Sequence, residues 1–170
     1  MASYKLLKLS FISIVGGLFA MTAHAAEKQP VNHSFEFHKN EGVEVLDYRY
    51  GDGKYGDSKL SFTHADKGYL ATGHIPQGAH VAAQFPVGDF LYVKWRVEST
   101  GKVYEDTVDL KSRLPSDMDK KRIYFLIKGS QLYVYLITNQ GHNPDGPECP
   151  IHPYQDYGCI LLYPEHWQNF

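Results

Sequence analysis

Residues 90–97, FLYVKWRV, decide the fold. Leu91, Val93, Trp95 and Val97 fall on one side of an extended chain; Phe90, Tyr92, Lys94 and Arg96 fall on the other. Successive side chains alternate across a strand, so period two over this length predicts a β-strand with one buried face. Ser99-Thr100-Gly101-Lys102 follows as a turn, and residues 103–110, VYEDTVDL, resume the strand pattern. The pair predicts an antiparallel hairpin rich in β-branched and aromatic residues.

The pattern extends in both directions. A polar link over 111–121 contains Leu114-Pro115-Ser116-Asp117, where Pro115 biases Leu114 away from helix and Ser116 is placed to cap a short turn. Arg122 to Lys128 is a third strand, Gly129-Ser130 suits a two-residue type II′ turn, and Gln131 to Thr138 is a fourth strand. In that fourth strand Leu132, Val134 and Leu136 share one face and Tyr133, Tyr135 and Ile137 the other. Two apolar faces place it centrally in a sheet. Upstream, Val43 to Tyr50 reads as a strand with Leu46, Tyr48 and Tyr50 on one face, followed by a Gly-rich loop over Gly51 to Asp57. Leu60 to His64 and His80 to Phe85 are weaker strands, separated by a turn-rich connector at 73–78. The tail, Asn139 to Gly158, carries Pro144, Pro147, Pro150 and Pro153, and Cys159 to Tyr163 is a last short strand. There is no internal repeat and no well-capped helix. The expectation is a mainly β single domain with little helix, an antiparallel β-sandwich or curled sheet.

The N-terminus sets the compartment. In residues 1–25, Lys5 and Lys8 precede an uncharged run from Leu9 to Met21, and Ala23-His24-Ala25 supplies small residues at the cleavage positions of a secretory signal peptide. The run is short of the ~20 residues of a membrane span, so no transmembrane anchor is expected after cleavage. Cleavage leaves residues 26–170, enough for one domain with a core. Ala26 stands where a lipoprotein needs cysteine, so the protein is expected free in the periplasm. Removing two lysines and no acids leaves 15 Lys and Arg against 19 Asp and Glu, a net charge of −4. That balance, without a basic patch, argues against nucleic acid as a partner.

The residues that carry chemistry are sparse. Cys149 and Cys159 in an oxidising compartment predict one disulfide closing a loop of ten residues. The alternative is structural zinc, since His142, Cys149, His152 and Cys159 lie close together. The remaining mature histidines are scattered without a tight ligand spacing. Gly51-Asp52-Gly53-Lys54 with Asp57 lacks the order of a calcium loop. Glu105 and Asp109 share a strand face, which reads as a solvated face well ahead of a glycosidase pair. No nucleophile elbow or phosphate loop occurs. No cofactor, no metal and no enzyme activity are expected.

Four segments carry a resemblance: EVLDYRYGD (44–52), LYVKWR (91–96), VYEDTVDLKSRLP (103–115) and QLYVYLI (131–137). They resemble a group of small exported envelope lipoproteins of Gram-negative bacteria associated with type VI secretion. Some members are similar to immunity proteins that neutralise phospholipase effectors. The resemblance implies a periplasmic protein that binds a protein partner, such as a secreted toxin or lipase effector. Trp95, Arg96, Tyr104, Glu105, Asp106 and Arg113 are its polar and aromatic candidates for partner contact. Asp52, Lys54, Tyr55 and Asp57 in the Gly-rich loop, and His142 and Asp145 in the tail, are loop candidates. The alternatives are an accessory envelope protein without an inhibitory role and a small metal-dependent hydrolase.

Overall fold

Nine strands carry the described part of the chain. The computed structural model describes residues 28–38, 40–51, 53–54, 75–141 and 149–165. In chain order the strands are β1 (Pro30–Phe37), β2 (Val43–Tyr50), β3 (Gly53–Lys54), β4 (Ala79–Pro86), β5 (Phe90–Val97), β6 (Val103–Asp109), β7 (Arg122–Lys128), β8 (Gln131–Gly141) and β9 (Tyr157–Tyr163). Five form one sheet in the order β4-β1-β7-β8-β9, and four form another in the order β3-β2-β5-β6. All pairings are antiparallel except the short one between β1 and β7.

Alternation along each strand builds one core between the sheets. Phe35 and Phe37 of β1 meet Tyr48 of β2 and Phe125 of β7, with Phe37 stacked on Phe125 at 4.3 Å and Phe35 stacked on Tyr48 at 6.0 Å. Leu91, Val93 and Trp95 of β5 are buried with Leu132, Val134 and Leu136 of β8 in the same cluster. Each such side chain contributes roughly 1.5–3 kcal/mol by leaving water. The Trp95 indole N–H donates to the carbonyl of Gly129, in the β7–β8 turn of the opposite sheet, at 2.9 Å. Gly129 has φ 57° while Ser130 stays outside the positive-φ region, the arrangement a type II′ turn requires.

The strands over 43–50, 90–97 and 122–128 and the antiparallel hairpin of β5 with β6 stand as the sequence predicts, and β8 is central, between β7 and β9. Leu60 to His64 lies outside the described residues. Two features differ. β1 escapes a pattern search because its inward row, Val31, His33, Phe35 and Phe37, opens with Pro30 and includes an imidazole. In β2 a bulge between Val45 and Asp47 shifts the register, so Val43 and Val45 join Tyr48 and Tyr50 in the core in place of Leu46. The Gln77 side chain serves the backbone there, accepting from Val45 N at 2.8 Å and donating to Val45 O at 3.0 Å.

His33 is 1% exposed and packs 4.0 Å from the Phe85 ring. Its Nδ1 lies 2.9 Å from the Val31 carbonyl and its Nε2 lies 3.0 Å from the Tyr50 hydroxyl. A carbonyl only accepts, so Nδ1 carries the proton and Nε2 accepts from the phenol. Desolvation pushes the His33 pKa below its ordinary value, against the opposing effect of the bond to Val31. As pH falls, the unfolded chain therefore takes up this proton first. The folded state keeps its full stability above about pH 6.5 and loses it below, by about 1.4 kcal/mol per unit of lowering at most. His33→Gln is expected to flatten the fall in thermal stability between about pH 6.5 and 5 relative to the wild type, as followed by circular dichroism melts.

Candidate functional site

The five-stranded sheet has a second populated face. Cross-strand pairing sets His80, Glu36, Tyr124, Tyr135 and Leu161 in one row across β4, β1, β7, β8 and β9. The adjacent row runs Ala82, Ser34, Arg122, Ile137 and Cys159. A segment from Cys149 onward lies over the β7–β9 part of these rows. Cys149, Ile151 and Tyr154 bury against Tyr124, Tyr135 and Ile137 in a cluster separate from the main core. Successive turns shape the segment, with Tyr154 N donating to Ile151 O at 2.6 Å and Tyr157 N to Tyr154 O at 3.0 Å. Cys149 and Cys159 stand at disulfide distance, with Cα atoms 5.3 Å apart, which closes the segment onto β9.

Glu36 sits where this segment meets the β1–β4 side. Its neighbours Phe35 and Phe37 point into the core, so alternation turns Glu36 outward, yet it is only 3% exposed. The carboxylate is surrounded. His38 Nε2 lies 2.7 Å from Oε1 and His80 Nδ1 lies 3.1 Å from Oε2. The Tyr154 hydroxyl donates to Oε2 at 2.9 Å. Arg122 Nε lies 3.0 Å from Oε2 as an ionic contact without a directed hydrogen bond. The guanidinium also lies 4.3 Å over the Tyr154 ring, and the His38 ring meets the edge of Tyr124 at 5.6 Å. A carboxylate only accepts, so His38 carries a proton on Nε2 and His80 on Nδ1. Burial first, then the bond to Glu36, pushes the Tyr154 phenol up to about 12, and burial raises Tyr124 as well. Both phenols therefore act as neutral groups at physiological pH. The two imidazoles are half exposed, whereas the carboxylate that orients them is not.

The residues nominated from the sequence fall into three groups. Trp95, Asp106 and Arg113 tie the sheets together. Trp95 does so through Gly129, Asp106 accepts from the Tyr163 hydroxyl at 2.5 Å, and Arg113 donates to Leu162 O at 2.9 Å and to Glu165 at 2.7 Å. The bond to Asp106 pushes the Tyr163 phenol up to about 12. Tyr104 stacks on Trp95 at 5.9 Å. Arg96 and Glu105 lie on the exposed outer face of the four-stranded sheet, where Arg96 pairs with Glu44 at 2.8 Å and Glu105 with Lys94 at 3.4 Å. The Tyr92 hydroxyl also donates to Glu105 at 3.0 Å, which lowers the Glu105 pKa. Lys54 enters β3, paired with Arg49, while Asp52, Tyr55, Asp57, His142 and Asp145 lie outside the described residues. Among the described residues no group of three or more His, Cys, Asp or Glu side chains is arranged to hold a metal ion. No helix among them is long and apolar enough to cross a membrane.

Sequence reading overlooked Glu36, His38, His80, Arg122 and Tyr154 because they come from four places in the chain and share no motif. The available signal was a lone acid, Glu36, between Phe35 and Phe37.

Glu36→Ala is expected to cost about 3–5 kcal/mol, because it leaves Arg122 beside an apolar site without its counter-charge. Glu36→Gln, which keeps the shape and some acceptor capacity, should cost less; denaturant unfolding of both variants measures the difference. Replacing Cys149 and Cys159 with Ser is expected to cost roughly 2–3 kcal/mol. It should also shift the His38 and His80 ring resonances in NMR spectra, since Tyr154 is held on Glu36 by the closed segment.

No protein-family model, no curated protein and no solved structure matches this chain.

Proposed function

We propose that this is an exported binding protein whose working surface is the outer face of the five-stranded sheet, beside the segment that begins at Cys149. The signal-like N-terminus supports export, as do two cysteines at disulfide distance. The observation that carries the binding reading is the paired carboxylate of Glu36. It fixes one exposed imidazole on each side, an arginine and a tyrosine in set orientations before any partner arrives. Preorganised Arg and Tyr side chains on a rigid scaffold lose little entropy on association, and these residue types dominate binding energy at protein interfaces. Tyr157, 39% exposed and edge-on to Tyr154 at 5.6 Å, extends the aromatic part of the surface. The resemblance to envelope proteins linked to type VI secretion makes a phospholipase effector the partner of choice, neutralised by direct binding.

The test is capture. The protein, tagged at its C-terminus and expressed in its native host, is expected to retain one stoichiometric protein partner identifiable by mass spectrometry. Cells carrying it should also survive a periplasm-directed version of that partner. Recovery of envelope or secretion components alone, with no protection, would replace this reading with the accessory one.

A further inference from the structure

Resting on that binding reading, we infer that the group received at the Glu36 cluster is a carboxylate side chain of the protein partner, taken by Arg122 between His38 and His80. Arg122 is held on two sides, by Glu36 at its Nε and by the Tyr154 ring beneath its plane. Among the described residues its two terminal nitrogens have no partner, and the side chain is 23% exposed. A guanidinium oriented in this way presents a fixed planar fork, which matches a carboxylate with two parallel N–H···O bonds.

The histidines complete the ligand chemistry. Each uses one ring nitrogen on Glu36, which leaves His38 Nδ1 and His80 Nε2 without a partner among the described residues. Both rings are half exposed; in the tautomers that Glu36 selects each outer nitrogen is a lone-pair acceptor, and it donates only in the doubly protonated ring, a form that a bound carboxylate favours. The charge of Glu36 is offset by Arg122 at 3.0 Å, and its oxygens already face four partners. In the row that contains Arg122, the β1 and β4 positions are Ser34 and Ala82, both short. The apolar cluster under the C-terminal segment draws its sheet residues from β7, β8 and β9 alone. With the imidazoles neutral the formal charges of Glu36 and Arg122 cancel, so the attraction comes from the directed donors of this fork and not from a net positive field.

The test uses penta-aspartate as the probe and penta-lysine at matched ionic strength as the control. NMR follows the ring resonances of His38 and His80 and the Arg122 Nε–H. The expected result is a saturable shift confined to these groups, with binding weakened about tenfold in Arg122→Lys, which keeps the charge and loses the fork. The double variant H38N/H80N removes two of the four groups around Glu36, so it is expected to keep the fold by circular dichroism with a lowered melting temperature and to weaken binding several-fold. No saturable shift, an equal response to penta-lysine, or undiminished binding in both variants would overturn the inference. A partner captured equally well by wild type and both variants would also overturn it while leaving the binding reading intact. A penta-aspartate response in a protein that captures no partner would keep the carboxylate site and remove the binding reading.

Discussion

A carboxylate taken out of water at the middle of β1 is the constraint around which the outer face of this protein is arranged. Desolvating a lone carboxylate costs several kcal/mol, and the cost is offset only when charge and hydrogen bonds surround it. Glu36 meets that demand with groups from three other places: His80 of β4, Arg122 of β7 and Tyr154 of the segment that begins at Cys149. The consequence is mechanical as well as electrostatic. One side chain fixes where the C-terminal segment stops, which tautomer each imidazole adopts and which way the arginine faces. None of these is imposed by the main core, which lies on the opposite side of the same sheet.

The same strand explains why the two faces are coupled. Phe35 and Phe37 lock β1 into the aromatic stack with Tyr48 and Phe125, and alternation leaves Glu36 no choice of face. A slip of one residue in β1 would bring a charge into the core and two phenylalanines to the outer face, so the register is strongly specified. Asn40 reinforces it just beyond the strand, donating to His38 O at 3.0 Å while accepting from Ile127 N at 2.9 Å. That side chain continues the β1–β7 pairing after the backbone ladder ends and fixes the backbone that carries His38.

Much of the sheet architecture was legible because its strands obey simple alternation. The segment over 131–138, with one aliphatic row and one tyrosine-rich row, announced a strand buried on both faces, and β8 is one. What remained hidden was set by non-local contacts. Leu46 looked like a core residue until a bulge, paired with the Gln77 side chain, moved Val45 into that place. β1 was missed because its inward row includes a histidine, and the Tyr50 hydroxyl that satisfies the far side of that ring lies 17 residues away in sequence. The polar residues of the regular strands and of the link after β6 stood out in the sequence, yet Trp95, Asp106 and Arg113 spend polar atoms on holding the two sheets together. A residue that is prominent in a strand is prominent first to the fold.

This division of labour bears on where recognition is placed. Polar groups that tie the sheets together, such as the Trp95 indole N–H and the Asp106 carboxylate, are engaged by the opposite sheet, and freeing them for a partner would open an edge of the sandwich. The exposed ladder on the four-stranded sheet is satisfied internally too, with Arg96 on Glu44 and Lys94 on Glu105, and such surface pairs contribute little. On the outer face of the other sheet the balance differs. There the buried acid consumes one nitrogen of each imidazole and the inner nitrogen of the arginine, and leaves the outer ones pointing away from it. The protein thus holds the unspent terminal donors of Arg122 on a rigid support, which is the condition under which a polar contact adds to affinity instead of replacing a contact already made.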